Sequence, residues 1–509
     1  MNIERALISV YDKTGIEHLA SYLNNNGVDI ISTGGTYEYL KKFGIKVQSV
    51  QEYTGIDEIF DGRIKTISTR IAGGILADRS KSEHIDQMIT ANIPVIDMIV
   101  VNLCPFKKFS RETFDEFELI DKIDIGGINL IRSAAKNYRE VLPIVDPTDY
   151  KKIIDSFDFC GDVPLQNRRK FALKAFYSTM KYEESVHEAL SFLFAEEKFQ
   201  HITLEKLDDF KYGDNPHQEA YLSKIAGKES LFENVKFILK RHFTLRSYRQ
   251  IFNGISFLNN ISSGGFTILI NLLPVFFSAL EDDIAYLKLI EDDLKTKLND
   301  NAAFISKGEI NLEIANYILQ MGITVVVAAD YSSDALALLK GSDIKLMVEI
   351  SDFERPFVNS IFLENEVLIQ KKDDIEDFGG INKIYEPKGF TGKHKDDLML
   401  LMQLIRIFET NCMLRIKDRR IHSVSSGLLD PQECLEIALS RFKGLSGKVK
   451  GGIVGFDTLP ELEIIERTYK AWENEYLIIP KTEDKLEALL DFVKENKICL
   501  YQFQRRHFS

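Results

Sequence analysis

Twice between Arg5 and Phe43 a short apolar run breaks at a turn rich in hydroxyls or glycine and gives way to helical spacing. Residues 5–10, Arg-Ala-Leu-Ile-Ser-Val, have the pattern of a buried strand. Asp12-Lys13-Thr14-Gly15 turns the chain, and Ile16 to Leu23 carries an amphipathic helix. Val28 to Ser32 is a second strand, Thr33-Gly34-Gly35-Thr36 a second turn, and Tyr37 to Phe43 a second helix. Strands that feed helices over such short loops predict an α/β fold. Ser9 and Lys13 at the first junction, and the hydroxyls and glycine amides at the second, stand where helix N-termini receive phosphate. Each loop is equally an ordinary capped turn, so both readings stay open on these residues.

A third glycine turn, Asp124-Ile125-Gly126-Gly127, precedes Ile128, Leu130, Ile131, Ala134 and Ala135, a helical run ending at Lys136. Amides at a helix start favour an anion or a developing oxyanion, and the flanking acid and lysine suit proton transfer. A straight helix separates Gly127 from Lys136 by about 14 Å. Either the loop folds back, or Lys136 serves another part of the pocket; the plain alternative is a helix start with a solvated lysine. Asp61-Gly62-Arg63-Ile64-Lys65-Thr66 sets two cations and a hydroxyl on one turn, and Arg63 could clamp phosphate. Ile96 to Asn102 is an apolar strand, placing Asn102 and Cys104 at a strand end, where open α/β sheets gather ligand groups.

The bulk properties narrow the class. A length of 509 residues predicts about two to four domains. A net charge of −13 excludes a broad nucleic-acid footprint but leaves room for local basic pockets. Five dispersed cysteines with no CxxC pair fit reduced thiols. No uncharged apolar run is long enough to span a bilayer. The opening Met1-Asn2-Ile3-Glu4-Arg5 lacks a signal-peptide shape, so cytoplasm is the expected compartment.

With these residues in place, positions 1–198 resemble the IMP cyclohydrolase domain of the bifunctional AICAR transformylase/IMP cyclohydrolase family of purine synthesis. The matching pieces are Ala6-Leu-Ile-Ser-Val with Asp12-Lys-Thr-Gly15, Ile31-Ser-Thr-Gly-Gly-Thr36, Asp61-Gly-Arg-Ile-Lys-Thr66, Val100-Val-Asn-Leu-Cys-Pro-Phe106, and Ile123-Asp-Ile-Gly-Gly127 through Ala134-Ala-Lys-Asn137. Later, Tyr212-Gly-Asp-Asn-Pro-His-Gln218 is similar to the motif that opens the family's transformylase domain, here residues 199–509.

The resemblance implies a methylglyoxal synthase-like parallel sheet domain, then a larger α/β region that is transformylase-like (cytidine deaminase-like). Ser9, Lys13, Ser32, Thr33, Gly34, Gly35, Thr36, Arg63 and Thr66 would hold the ribose phosphate. Thr14, Asn102, Cys104 and Gly127 complete the implied substrate set. The implied chemistry closes FAICAR to IMP with loss of water. Lys65 and the amides of Ile125 and Gly126 would face the oxyanion, with Asp124 and Lys136 as the proton-transfer pair. It needs no cofactor or metal, and the family implies a homodimer.

The chain departs from the family in both halves. Cys104 stands where the family usually has tyrosine, and Ser68-Thr69-Arg70 with Ala72 replaces two histidines. In the second half Ile270 and Asn271 fall at the family's Lys-His pair, and an aliphatic side chain moves no proton. Ser425-Ser-Gly-Leu-Leu-Asp-Pro431 replaces the folate-side segment. Lys211, Tyr212, His217, Gln218, Asn411, Asp457 and the Arg506-His507-Phe508 tail persist as vestiges, while Lys240 and His242 have the pattern of plain surface. The expectation is therefore an IMP cyclohydrolase on a degenerate transformylase fold, with 10-formyltetrahydrofolate a co-substrate only where formyl transfer survives. The alternatives are the full bifunctional enzyme and a non-catalytic purine-nucleotide-binding protein. Residues 170–195 predict a long helix, and the charged stretch Phe199 to Asp209 a connector. Gly322–Ala329 and Gly451–Gly455 predict buried strands, Leu398–Phe408 and Pro431–Phe442 amphipathic helices.

Overall fold

The computed structural model describes residues 3–57, 59–60, 64–106, 115–195, 201–261, 264–295, 302–350, 359–362, 367–370, 381–388, 394–405, 407–408, 411–441, 449–482 and 486–503. The chain forms two compact units, Met1–His201 and Ile202–Ser509. Among the described residues no helix is long and apolar enough to cross a membrane.

The first unit is built on five strands: β1 (Arg5–Val10), β2 (Asp29–Ser32), β3 (Gln48–Ser49), β4 (Met98–Asn102) and β5 (Leu142–Ile144). All pair in parallel, in the order β3-β2-β1-β4-β5. Side chains alternate across a strand, so β1 sends Ala6, Ile8 and Val10 into one apolar layer and Leu7 into the other. β4 divides likewise, Met98 and Val100 against Ile99 and Val101. Burial on both faces is why these strands read as unbroken apolar runs. The first layer is closed by helix Ile16–Asn25, the second by helices Thr69–Leu76 and Gly126–Lys136.

Strand order reverses between β1 and β4, and the carboxyl ends of such a pair open a crevice. At the amino ends a second cavity, of about 480 Å³, is lined by Glu4, Arg79, Asp97 and Arg168 among others. Asp97, 1% exposed, accepts the N–H groups of Glu4 (2.8 Å) and Arg5 (3.0 Å) and pairs with Arg79 at 2.6 Å.

The second unit carries a mixed sheet of twelve strands. At its middle lie two antiparallel hairpins, Phe266–Ile270 with Leu273–Ser278 and Met413–Lys417 with Arg420–Ser425. Outward from the first hairpin come Ala302–Ser306, Val325–Ala328, Leu346–Glu349 and, at the edge, Lys236–Lys240. Outward from the second come Ile453–Phe456, Tyr476–Pro480, Cys499–Phe503 and Ile381–Tyr385. Pairing sense matches at every step: antiparallel, parallel, parallel, then antiparallel at the edge. In both halves the edge strand comes first in the chain. The unit is thus a tandem duplication, joined where Ser278 pairs with Arg420.

The long helix spans Leu165–Leu193. The expected strands lie at Val325–Ala328 and Ile453–Phe456, the expected helices at Lys395–Ile405 and Pro431–Arg441. The stretch expected to be a connector is partly a strand: Leu204–Asp209 pairs antiparallel with Tyr221–Ile225. That ribbon keeps much of both strands exposed, so its charge carried no strand signal.

Candidate active site

At the carboxyl ends of β1 and β2 a cavity of about 610 Å³ opens, lined by Ser9, Thr33, Lys65, Thr66, Asp121 to Gly127 and Leu130. Small-molecule sites commonly occupy roughly 300–1,000 Å³. Ser9 and Thr33 come from adjacent strand ends, their hydroxyls 2.7 Å apart. Helix Gly34–Lys42 starts directly after Thr33, and at both Gly34 and Gly35 a Cβ would meet open space. That helix start is therefore open to an anion.

The opposite wall is the start of helix Gly126–Lys136, and here close approach explains both glycines. A Cβ on Gly126 would lie 2.5 Å from Thr66 Oγ1, and one on Gly127 2.6 Å from Asp124 Oδ2 and 2.8 Å from Leu103 Cδ2. The glycines let a hydroxyl and a carboxylate press against the helix start. Asp124 Oδ1 accepts the Gly127 N–H at 2.7 Å, capping the helix from within the cavity. The Asn129 amide donates to Ile125 O, and the Gly126 N–H has no hydrogen-bond acceptor among the described residues. Lys65, exposed, and Thr66, buried, bring an ammonium and a hydroxyl to the same space.

Other expected site residues have different placements. Ser32, fully buried, donates its hydroxyl to Ile8 O at 2.7 Å. Thr36 Oγ1 accepts the Val10 N–H (3.1 Å) and donates to Val10 O (3.0 Å). Both side chains are spent holding β1, so any ligand contact there falls to backbone. Asn102 is likewise spent: its Oδ1 accepts the N–H groups of Tyr11 and Asp12, and its Nδ2 donates to Asp12 O at 2.9 Å. It shapes the loop after β1 and does not line the cavity. Thr14 donates to Asp12 Oδ1 in the same loop, and Lys13 Nζ reaches back to Val10 O and Tyr11 O at 3.4 Å. Cys104 is half-buried and outside the cavity lining.

Lys136, expected to partner Asp124, ends the helix that Gly126 begins, is exposed, and lies about 15 Å along the axis from Gly126. Helix geometry parts the two within this unit. Arg63 lies outside the described residues. Sequence reasoning missed Tyr182, on the long helix, whose phenol oxygen accepts the Asp124 N–H at 2.7 Å. Its only trace in the letters is helical spacing with Val186 and Leu190.

In the second unit Lys211 Nζ lies 2.8 Å from His242 Nε2, a pairing that surface composition concealed. His242 and Tyr212 line a cavity of about 340 Å³ together with Arg246 and Lys345. His217 is exposed and outside it. Ile270 and Asn271 end a strand and begin a hairpin turn, with Asn271 at φ 57. Asn411 Nδ2 donates to Leu428 O (2.8 Å) and Leu429 O (3.1 Å), and Asp457 Oδ1 accepts the Cys412 N–H at 2.7 Å. Residues 504–509, with the Arg506-His507-Phe508 tail, lie outside the described residues.

Comparison with known proteins covers both units. Residues 15–129 match the MGS-like domain family, and residues 134–260 and 285–441 match the AICARFT/IMPCHase bienzyme family. The chain is 33% identical to the bifunctional purine biosynthesis protein PurH of Clostridium botulinum (strain Langeland), covering 100% of both chains. It is 30% identical to the protein of that name from Acetivibrio thermocellus, again over 100% of both. The crystal structure of ForH is 31% identical, covering 37% of this chain and 100% of that one, with a TM-score of 0.34.

Proposed function

This chain belongs to the AICARFT/IMPCHase bienzyme family, and from that premise we propose that its first unit closes FAICAR to IMP with loss of water. The observation that carries the proposal is the cavity where Lys65, Thr66, Asp124 and the Gly126 amide meet the hydroxyls of Ser9 and Thr33. The hydroxyl wall and the open start of helix Gly34–Lys42 take the phosphate end of the substrate. The reacting ring then faces the second wall.

Closure needs the carboxamide nitrogen to attack the formyl carbon. A C–N bond forms, the formyl C=O opens to an oxyanion, and the attacking nitrogen sheds a proton. Lys65 and the Gly126 N–H stabilise the oxygen. Asp124 Oδ2, with no hydrogen-bond partner among the described residues, takes that proton and passes it to the oxyanion, giving a hydroxyl; it then takes the N–H proton of the former formamido nitrogen and gives it to this hydroxyl, which leaves as water as the ring C=N bond forms. Both reacting groups sit on one ring, so proximity is already supplied. No cofactor enters this step. Purified full-length protein given FAICAR is expected to form IMP; nucleotide binding without consumption of FAICAR would instead identify a purine-nucleotide-binding protein.

We further propose that formyl transfer in the second unit is weak or lost. The support is Ile270 and Asn271, which bring no base or cation to the end of their strand. The full bifunctional reading has its own support in the Lys211–His242 pair beside the smaller cavity. Incubation with AICAR and 10-formyltetrahydrofolate decides between them, since substantial turnover defeats the loss. The proposal includes a cytoplasmic homodimer, and a monomer in sedimentation would remove that part.

A further inference from the structure

We propose that Tyr182 is a positioning residue for Asp124, setting the carboxylate that handles the proton during ring closure; this rests on the cyclohydrolase reading above. Tyr182 belongs to helix Leu165–Leu193, remote in sequence from the glycine turn. Its phenol oxygen accepts the Asp124 N–H at 2.7 Å, while the Asp124 carboxylate accepts the Gly127 N–H at 2.7 Å. One residue is thus held at both ends, its backbone by Tyr182 and its carboxylate by the helix it caps. Oδ2 is left facing the cavity, pressed against Gly127, and neither end can shift alone.

The anchor is itself rigid. Tyr182 is 6% exposed and packs edge-on to Phe106, ring centroids 6.1 Å apart. Phe106, Leu119 and Val186 surround it, with Leu103, Ile123 and Ile128 against the same cluster. Leu103 and Phe106 follow β4, Leu119 and Ile123 precede the glycine turn, and Ile128 follows it. Burial pushes the phenol up to about 12, so it stays neutral across the working pH range. A neutral phenol can accept the amide without adding a charge beside the Asp124 carboxylate. Carbonyl chemistry is sensitive to misplacement of a proton carrier by about 1 Å, and this hydrogen bond fixes the carrier's backbone.

The test uses the full-length protein and two variants. Tyr182→Phe keeps the ring packing and removes the acceptor. Phe106→Leu disturbs the packing and keeps the acceptor. With FAICAR, Tyr182→Phe is expected to lower kcat about ten-fold while KM stays within about two-fold of wild type. Hydrogen exchange at the Asp124 amide is expected to accelerate in Tyr182→Phe alone. A kcat within about two-fold of wild type, or an equal kcat loss in Phe106→Leu, would overturn the proposal. If wild-type protein fails to close FAICAR, the cyclohydrolase reading fails and the positioning of a proton carrier by Tyr182 falls with it. Amide exchange then still decides the anchoring: unchanged protection at Asp124 in Tyr182→Phe overturns that too.

Discussion

Lys65 and Asp124 both line one cavity, and they are held there differently. The lysine is exposed and reaches in on a flexible stem, whereas the aspartate is held by two hydrogen bonds. Removing the ammonium takes away charge stabilisation without disturbing packing. Lys65→Ala is therefore expected to slow FAICAR closure about 10²-fold or more with an unchanged melting temperature. A near-wild-type rate would take Lys65 out of the mechanism. In the second unit His422 is 2% exposed, and burial drives its imidazole down to about 3. The folded chain keeps it neutral while the unfolded chain protonates it near its ordinary value of about 6.5. Stability contributed by this difference is present above that value and is lost as pH falls toward the folded value. His422→Leu should thus flatten the decline in urea stability between about pH 6.5 and 4, and an unchanged slope would refute it.

The element on which the site turns is helix Gly126–Lys136. Its start is packed so tightly that a single methyl group is not accommodated. In Gly127→Ala the new Cβ would meet Asp124 Oδ2 and the Leu103 side chain well inside contact distance. Moving Asp124 aside breaks its cap on the Gly127 amide and its alignment with the cavity. The expected result is about 1–3 kcal/mol of lost stability, with activity falling further than stability alone explains. A fully active, fully stable Gly127→Ala protein would show that the approach is looser than described. The same helix separates its two ends, so Lys136 stays exposed while Gly126 meets the cavity.

At the scale of the molecule, the second unit is two copies of one topology sharing a twelve-stranded sheet. Their seam is narrow in backbone terms, one residue pair, and is reinforced by charge. Arg420 grips Asp283 through Nε (2.5 Å) and Nη2 (2.6 Å), and Ser278 donates to the same carboxylate. Asp283 is 4% exposed. Removing one partner of a buried pair leaves a charge uncompensated, so Asp283→Ala should lower the stability of this unit by about 3–5 kcal/mol, read by urea denaturation. A loss near zero would mean that water replaces the carboxylate at no cost.

The letters by themselves determined what depends on local pattern. Apolar runs and turns placed β1, β2 and β4, the helices after β1 and β2, and helix Gly126–Lys136, because strand and helix periodicity are properties of neighbouring residues. The glycine turn at Asp124 was visible for the same reason. What the letters left open depends on contacts between distant residues. The uses of Ser32, Thr36 and Asn102, the Lys211–His242 pairing and the Tyr182 hydrogen bond join segments far apart in the chain, and no local pattern encodes them. The duplication of the second unit is of this kind as well: Phe266-Thr-Ile-Leu-Ile and Met413-Leu-Arg-Ile-Lys share a place in the sheet but hardly a residue. Pairing order is fixed by backbone hydrogen bonds and burial, which many apolar sequences satisfy equally, so only the folded chain reveals it.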